Sequence, residues 1–132
     1  METNAKTLPQ IVDELGISST IEWQDTPRNA PEWAQKSNAY RITLRYQKRR
    51  ISFNYYQGRG CKDDPTTADA VWCLAQDLNC LISAPTLKEY GQEFGWDKNT
   101  AQTFRAVKDL SKRYQKFIGD PSTLELLAGV EY

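Results

Sequence analysis

Asp63 and Asp64 stand side by side just after Cys61, with Arg59 and Lys62 next to the thiol. Paired carboxylates can hold a metal or act as general acid and base. Flanking cations can lower a thiol's pKa towards a nucleophilic thiolate. The rest of the chain completes neither chemistry. It contains 0 histidines, which removes the Ser-His-Asp and Cys-His mechanisms, the Cys/His zinc sites and the usual pH switch. Adjacent aspartates before Pro65 are also what a helix N-terminus recruits for capping and for its dipole, and that is the stronger reading of the pair. Cys61, Cys73 and Cys80 are an odd number of cysteines. Cys73 and Cys80 fall on one expected helix with backbones about 10 Å apart, too far for a disulfide. Gly58-Arg59-Gly60 is too short for a phosphate-cradling loop and reads as a hairpin exit. No catalytic residue, metal or cofactor is expected.

The basic residues carry a stronger signal. Lys+Arg and Asp+Glu number 17 each, so the formal net charge is zero. The zero is segregated. Residues 41–62 hold Arg41, Arg45, Lys48, Arg49, Arg50, Arg59 and Lys62 and no acid, a net of +7. Residues 63–97 hold Asp63, Asp64, Asp69, Asp77, Glu89, Glu93 and Asp97 against Lys88, a net of −6. An ordinary solvated surface mixes its signs, so a field this polarised points to an anionic partner. Arg41 and Arg45 flank Thr43 on one face of an expected hairpin, with Asn54 and Tyr56 across the ladder. Charge, hydrogen-bond donors and a stacking ring together suit single-stranded nucleic acid or an RNA backbone. Arg105, Lys108, Lys112 and Lys116 recur at helical spacing further on, with Arg113 beside them. The acidic stretch offers the opposite possibility, contact with a basic nucleic-acid channel.

The elements that would position these residues follow from periodicity and caps. Residues 7–16 predict a short helix, with Thr7 as cap, Pro9 early and Gly16 as stop. Ile17–Gln24 predicts a strand with Ile17, Ile21 and Trp23 on one face. Residues 25–38, with Pro27 and Pro31, read as a loop, in which Trp33 either folds back over the sheet edge or stands out as a binding anchor. Over 39–57 the alternation of Tyr40, Ile42, Leu44 and Tyr46 and of Ile51, Phe53 and Tyr55 predicts a β-hairpin. Pairing Tyr46 with Ile51 and Leu44 with Phe53 keeps one face wholly apolar and leaves Lys48, Arg49 and Arg50 at the tip. Asp64-Pro65 opens a helix ending near Asn79. Thr86–Phe94 is a second helix, with Thr86 and Glu89 as a capping box and Gly95 as stop. Asn99–Ile118 is the longest, with Phe104, Val107, Leu110, Tyr114, Phe117 and Ile118 on one stripe. Gly119-Asp120-Pro121 starts a last short helix. The order predicts an α+β fold, a small antiparallel sheet of one strand plus a hairpin, covered by a helical C-terminal half.

A length of 132 residues suits one domain over 1–132, comprising 1–38, the hairpin 39–60 and the helices 64–128. Such a chain buries roughly two-thirds of its unfolded surface and needs no staples. The longest apolar run, Ala70 to Ala75, falls far short of the ~20 residues of a membrane span. The first residues lack the basic and apolar regions of a signal peptide, so a cytoplasmic location is expected.

Several pieces of the chain, over about residues 39–120, resemble one group of known proteins. They are Tyr40-Arg41-Ile42-Thr43-Leu44-Arg45-Tyr46, then Phe53-x-Tyr55-x-x-Gly58, then Pro65 with Ala68-Asp69-Ala70-Val71, and then Leu87-x-x-Tyr90-x-x-Glu93-Phe94-Gly95-Trp96-Asp97 before the long helix. The group comprises small phage and prophage proteins, mostly without an assigned activity. The resemblance implies an inhibitor of a bacterial defence system of the anti-CRISPR type, working in the host cytoplasm by occluding an effector protein or its nucleic acid. It carries over no functional residue. Charge alone supports the other reading, a nucleic-acid-binding accessory protein. The candidate contact residues for either are Arg41, Arg45, Lys48, Arg49, Arg50, Tyr56, Arg59, Arg105, Lys108 and Lys112.

Overall fold

Thr7, Pro9 and Gly16 bound the first helix as their types require. α1 spans Leu8–Leu15, with the Gln10 side chain accepting from the Thr7 amide at 2.9 Å and Gly16 left-handed at φ 76°. A computed structural model describes residues 6–24, 39–56 and 65–130. After α1 come β1 (Ser18–Gln24), β2 (Ala39–Tyr46), β3 (Arg49–Tyr56), α2 (Thr67–Ser83), α3 (Leu87–Phe94), α4 (Thr100–Ile118) and α5 (Pro121–Gly129). The strands form one antiparallel sheet in the order β1-β2-β3. The fold is α+β, with the C-terminal half mostly helical.

The hairpin pairs two residues away from the expected register. Tyr46 faces Arg49, Leu44 faces Ile51, Ile42 faces Phe53 and Tyr40 faces Tyr55. A shift of two keeps every side chain on its face, because the side-chain period of a strand is two. The turn therefore chooses between the two registers. It is Gln47-Lys48, with Gln47 left-handed at φ 57°. This corrects the expected tip, since only Lys48 of the three cations is in the turn. Arg49 and Arg50 are the first residues of β3.

Two helix boundaries also differ. α2 is capped by Thr66, whose hydroxyl accepts from the Asp69 amide at 3.2 Å while the Asp69 carboxylate accepts from the Thr66 amide at 2.8 Å. The cap is thus not Asp64, which lies outside the described residues. α2 also runs on to Ser83 rather than stopping near Asn79, because nothing breaks it before Pro85. α3 keeps one half of its expected capping box, the Glu89 amide donating to the Thr86 hydroxyl at 3.2 Å.

The apolar faces meet in one main core. It joins Ile42, Leu44, Ile51 and Phe53 of the sheet with Leu8, Ile11 and Val12 of α1. α2 adds Val71, Leu74 and Leu78, α4 adds Tyr114, Phe117 and Ile118, and α5 adds Leu127. Each such side chain, fully buried, contributes about 1.5–3 kcal/mol. The core thins towards one end of the sheet, where Ile21 and Tyr40 are only partly buried and Trp23, on the face of Ile21, is 61% exposed. A second small cluster, Ala84, Tyr90 and Phe104, joins α3 to the first half of α4.

Among the described residues, two polar atoms inside the core have no hydrogen-bond partner, Ser111 Oγ and Tyr114 Oη, both on α4. Burial pushes the Tyr114 phenol well above its ordinary pKa, so the hydroxyl stays neutral but loses its contact with water. Removing an unsatisfied buried hydroxyl of nearly unchanged shape should cost nothing and relieve up to about 1 kcal/mol. Tyr114→Phe is expected to hold or raise the thermal midpoint. A clear fall in that midpoint would show that the hydroxyl is bonded.

Candidate functional site

The outward face of the sheet is a knitted polar surface. The Thr43 and Ser52 hydroxyls bond at 2.8 Å, and the Gln24 amide and the Arg41 guanidinium both donate to Asn54 Oδ1, at 2.9 and 3.2 Å. Arg45 donates to the Thr20 hydroxyl at 2.8 Å. Arg41 also faces Glu22 across β1, so its charge is locally offset. At the turn end the balance differs. Arg45 and Arg50 sit directly opposite each other on β2 and β3, and like charges in that position destabilise a sheet.

The second contributor is the C-terminal half of α4, which packs along β3. Arg113 donates to the Ser52 carbonyl on the outer edge of β3 and lies 3.6 Å from Asp109. Arg49 reaches the helix end, donating Nε to the Phe117 carbonyl at 2.7 Å and Nη2 to the Ile118 carbonyl at 2.8 Å. Its guanidinium lies 5.7 Å from the centre of the Tyr46 ring. Gly119, left-handed at φ 76°, closes the helix so tightly that a Cβ there would stand 3.2 Å from the guanidinium carbon. Such an αL glycine is the usual stop of a helix. Here it also makes room for a side chain that caps the carbonyls.

Between β3 and α4 lies an open groove of about 500 Å³. Arg49, Arg50, Arg113 and Lys116 line it above Ile51, Ser52 and Phe117, and no acid among the described residues lines it. Arg50 and Lys116 are exposed. Lys112 lies one turn of helix from Lys116, also exposed.

The groove thus takes Arg49 and Arg50 of the sequence-derived set, with Arg45 opposite Arg50 across the ladder and Lys48 in the adjoining turn. Arg41 is about 13 Å up the strand from Arg45 at strand rise, and Arg105 is about 16 Å along α4 from Lys116 at helix rise. Lys108 belongs to the same first half of the helix as Arg105. The Tyr56 side chain and all of Arg59 lie outside the described residues, as do Trp33, Cys61, Lys62, Asp63 and Asp64 with their alternative readings. Arg113 and Lys116 stand out in the sequence only as part of a helical charge stripe. Nothing local in the sequence says that their helix lies against β3.

The acidic candidates disperse. Asp69 is spent on the α2 cap, and Asp97 accepts from the Asn99 amide at 2.7 Å. Glu89 and Glu93 stay exposed on α3. Among the described residues no group of three His, Cys, Asp or Glu is placed to hold a metal, and no helix is long and apolar enough to cross a membrane.

No family model, curated protein or solved structure matches the chain. The functional reading therefore rests on this chain's own residues.

Proposed function

We propose that the protein is a non-enzymatic binding protein that holds nucleic acid through the basic pole built by the hairpin turn and the second half of α4. One observation carries the reading. Same-sign side chains from two distant segments converge there, with Arg49 and Arg50 of β3 and Arg113 and Lys116 of the helix lining one groove, and Arg45 opposite Arg50 across the ladder. Such a pole repels itself in the free protein, and phosphates relieve the repulsion. Thr43, Ser52 and Asn54 extend it as a row of neutral hydrogen-bonding groups. These groups suit a backbone rather than a base code, because phosphate and sugar contacts position without specifying.

The test is a salt titration with fluorescently labelled single- and double-stranded DNA and RNA. Binding should be tight at low salt. Its log K should fall linearly with log[salt], at a slope near −0.7 per phosphate contacted on a single strand. Absence of binding to all of these at low salt would overturn the reading.

A second observation favours the inhibitor reading. Phe94 is 48% and Trp96 61% exposed on the α3 end of the molecule. A Cβ on Gly91 would collide with the Trp96 ring, so the indole lies flat on the helix. Exposed aromatic anchors suit a protein partner. A protein with both surfaces would occlude a nucleoprotein defence complex of the anti-CRISPR-targeted kind. Loss of nuclease activity on mixing with a purified effector would support this. No complex and no inhibition across several effector types would oppose it.

A further inference from the structure

We infer that the groove between β3 and α4 is a subsite for a terminal phosphate, a monoester dianion at the end of a strand, rather than one more contact for internal phosphodiesters. The inference deepens the nucleic-acid reading and rests on it.

The four cations of the groove divide their work. Arg49 and Arg113 each give hydrogen bonds to main-chain carbonyls, Arg49 to Phe117 and Ile118 and Arg113 to Ser52. They tie the strand edge to the helix and are positioning residues. Arg50 and Lys116 line the same groove, and their side chains make no hydrogen bond or ion pair among the described residues. They present two whole charges to whatever enters.

An internal phosphodiester carries one negative charge and matches half of that. A terminal monoester carries close to two at neutral pH and matches it fully. Arg50 brings a planar fork suited to two phosphate oxygens, and Lys116 brings a point charge. The neighbouring Arg49 charge adds to the field, and Asp109, 3.6 Å from Arg113, partly offsets the fourth cation. The buried Ile51 and Phe117 floor keeps water from one side, which strengthens the attraction. A groove of about 500 Å³ is also within the range that takes a small ligand.

The experiment compares one single-stranded oligonucleotide with a 5′-phosphate, a 3′-phosphate or hydroxyls at both ends, at fixed salt. The wild type should bind a terminally phosphorylated strand about tenfold more tightly than the hydroxyl form, the scale of one extra charge-assisted contact. The double variant Arg50→Gln/Lys116→Gln should lose that preference and keep the wild-type thermal midpoint. Lys88→Gln, on α3, should keep the preference. A free nucleoside monophosphate, titrated by NMR, separates the two sources of the phosphate. If it shifts the Arg50 and Lys116 signals while no oligonucleotide binds, the subsite stands and the nucleic-acid reading falls. If all three strands bind equally with a steep salt dependence, the subsite falls and the wider reading stands. If nothing binds, both fall.

Discussion

Replacing Arg45 and Arg50 together by glutamate should lower affinity for single-stranded nucleic acid by at least about a hundredfold at low salt, an increment of roughly 3 kcal/mol. The change removes two positive charges from the centre of the pole and adds two negative ones. Both enter the same counterion-release term, so the salt slope should flatten along with the affinity. The fold should survive for a specific reason. The wild-type pair already places like charges opposite each other on β2 and β3, and the glutamate pair does the same with the sign reversed, so the cross-strand repulsion is nearly unchanged. The Thr20 hydroxyl, which accepts from Arg45 at 2.8 Å, can turn to donate to the carboxylate that Arg45→Glu introduces. Circular dichroism melting should place the variant within a few degrees of wild type. Full retention of binding in a folded variant would remove the hairpin from the interface.

Arg49→Ala should have the opposite profile, a large loss of stability. Its guanidinium satisfies the last carbonyls of α4 at 2.7 and 2.8 Å and lies over Tyr46. A cation at a helix C-terminus also meets the negative end of the dipole. Hydrogen bonds to charged groups are worth about 1.5–3 kcal/mol each, and exposure of the rest of the side chain argues for the lower end of the total. A cost of about 2 kcal/mol corresponds to a melting point roughly 7 °C lower for a domain of this size. Arg49→Lys should fall between, since an ammonium keeps the charge but loses the fork that spans two carbonyls. Equal melting points for wild type and Arg49→Ala would show that the cap does not hold the helix to the hairpin.

The two arginines at the start of β3 illustrate what is legible in the sequence. The polar and apolar faces of the hairpin are, because alternation fixes parity. The register is not, because a shift of two leaves parity untouched and Gln47 carries none of the turn signals of Asn, Asp or Gly. Arg49 therefore reads as a tip charge, whereas its place at the start of β3 aims it at a helix end 68 residues on. The sequence reads Asp64-Pro65 as the start of α2, whereas the Thr66 hydroxyl and the Asp69 carboxylate close the cap two residues later. The groove is illegible for a different reason. It joins residues 49–52 to 113–117, and no local pattern records which face of an amphipathic helix meets which edge of a sheet. The charge segregation points to the hairpin but not to its turn end, since Glu22 offsets Arg41 only once β1 is paired.

The most direct test of the account is hydrogen–deuterium exchange of the protein with and without a saturating single-stranded oligonucleotide at low salt. Protection should concentrate at the hairpin turn and first half of β3, with the segment around Arg113 to Gly119, and should leave α3 unchanged. Protection confined to α3 and Trp96, or none anywhere, would contradict a basic pole that binds nucleic acid.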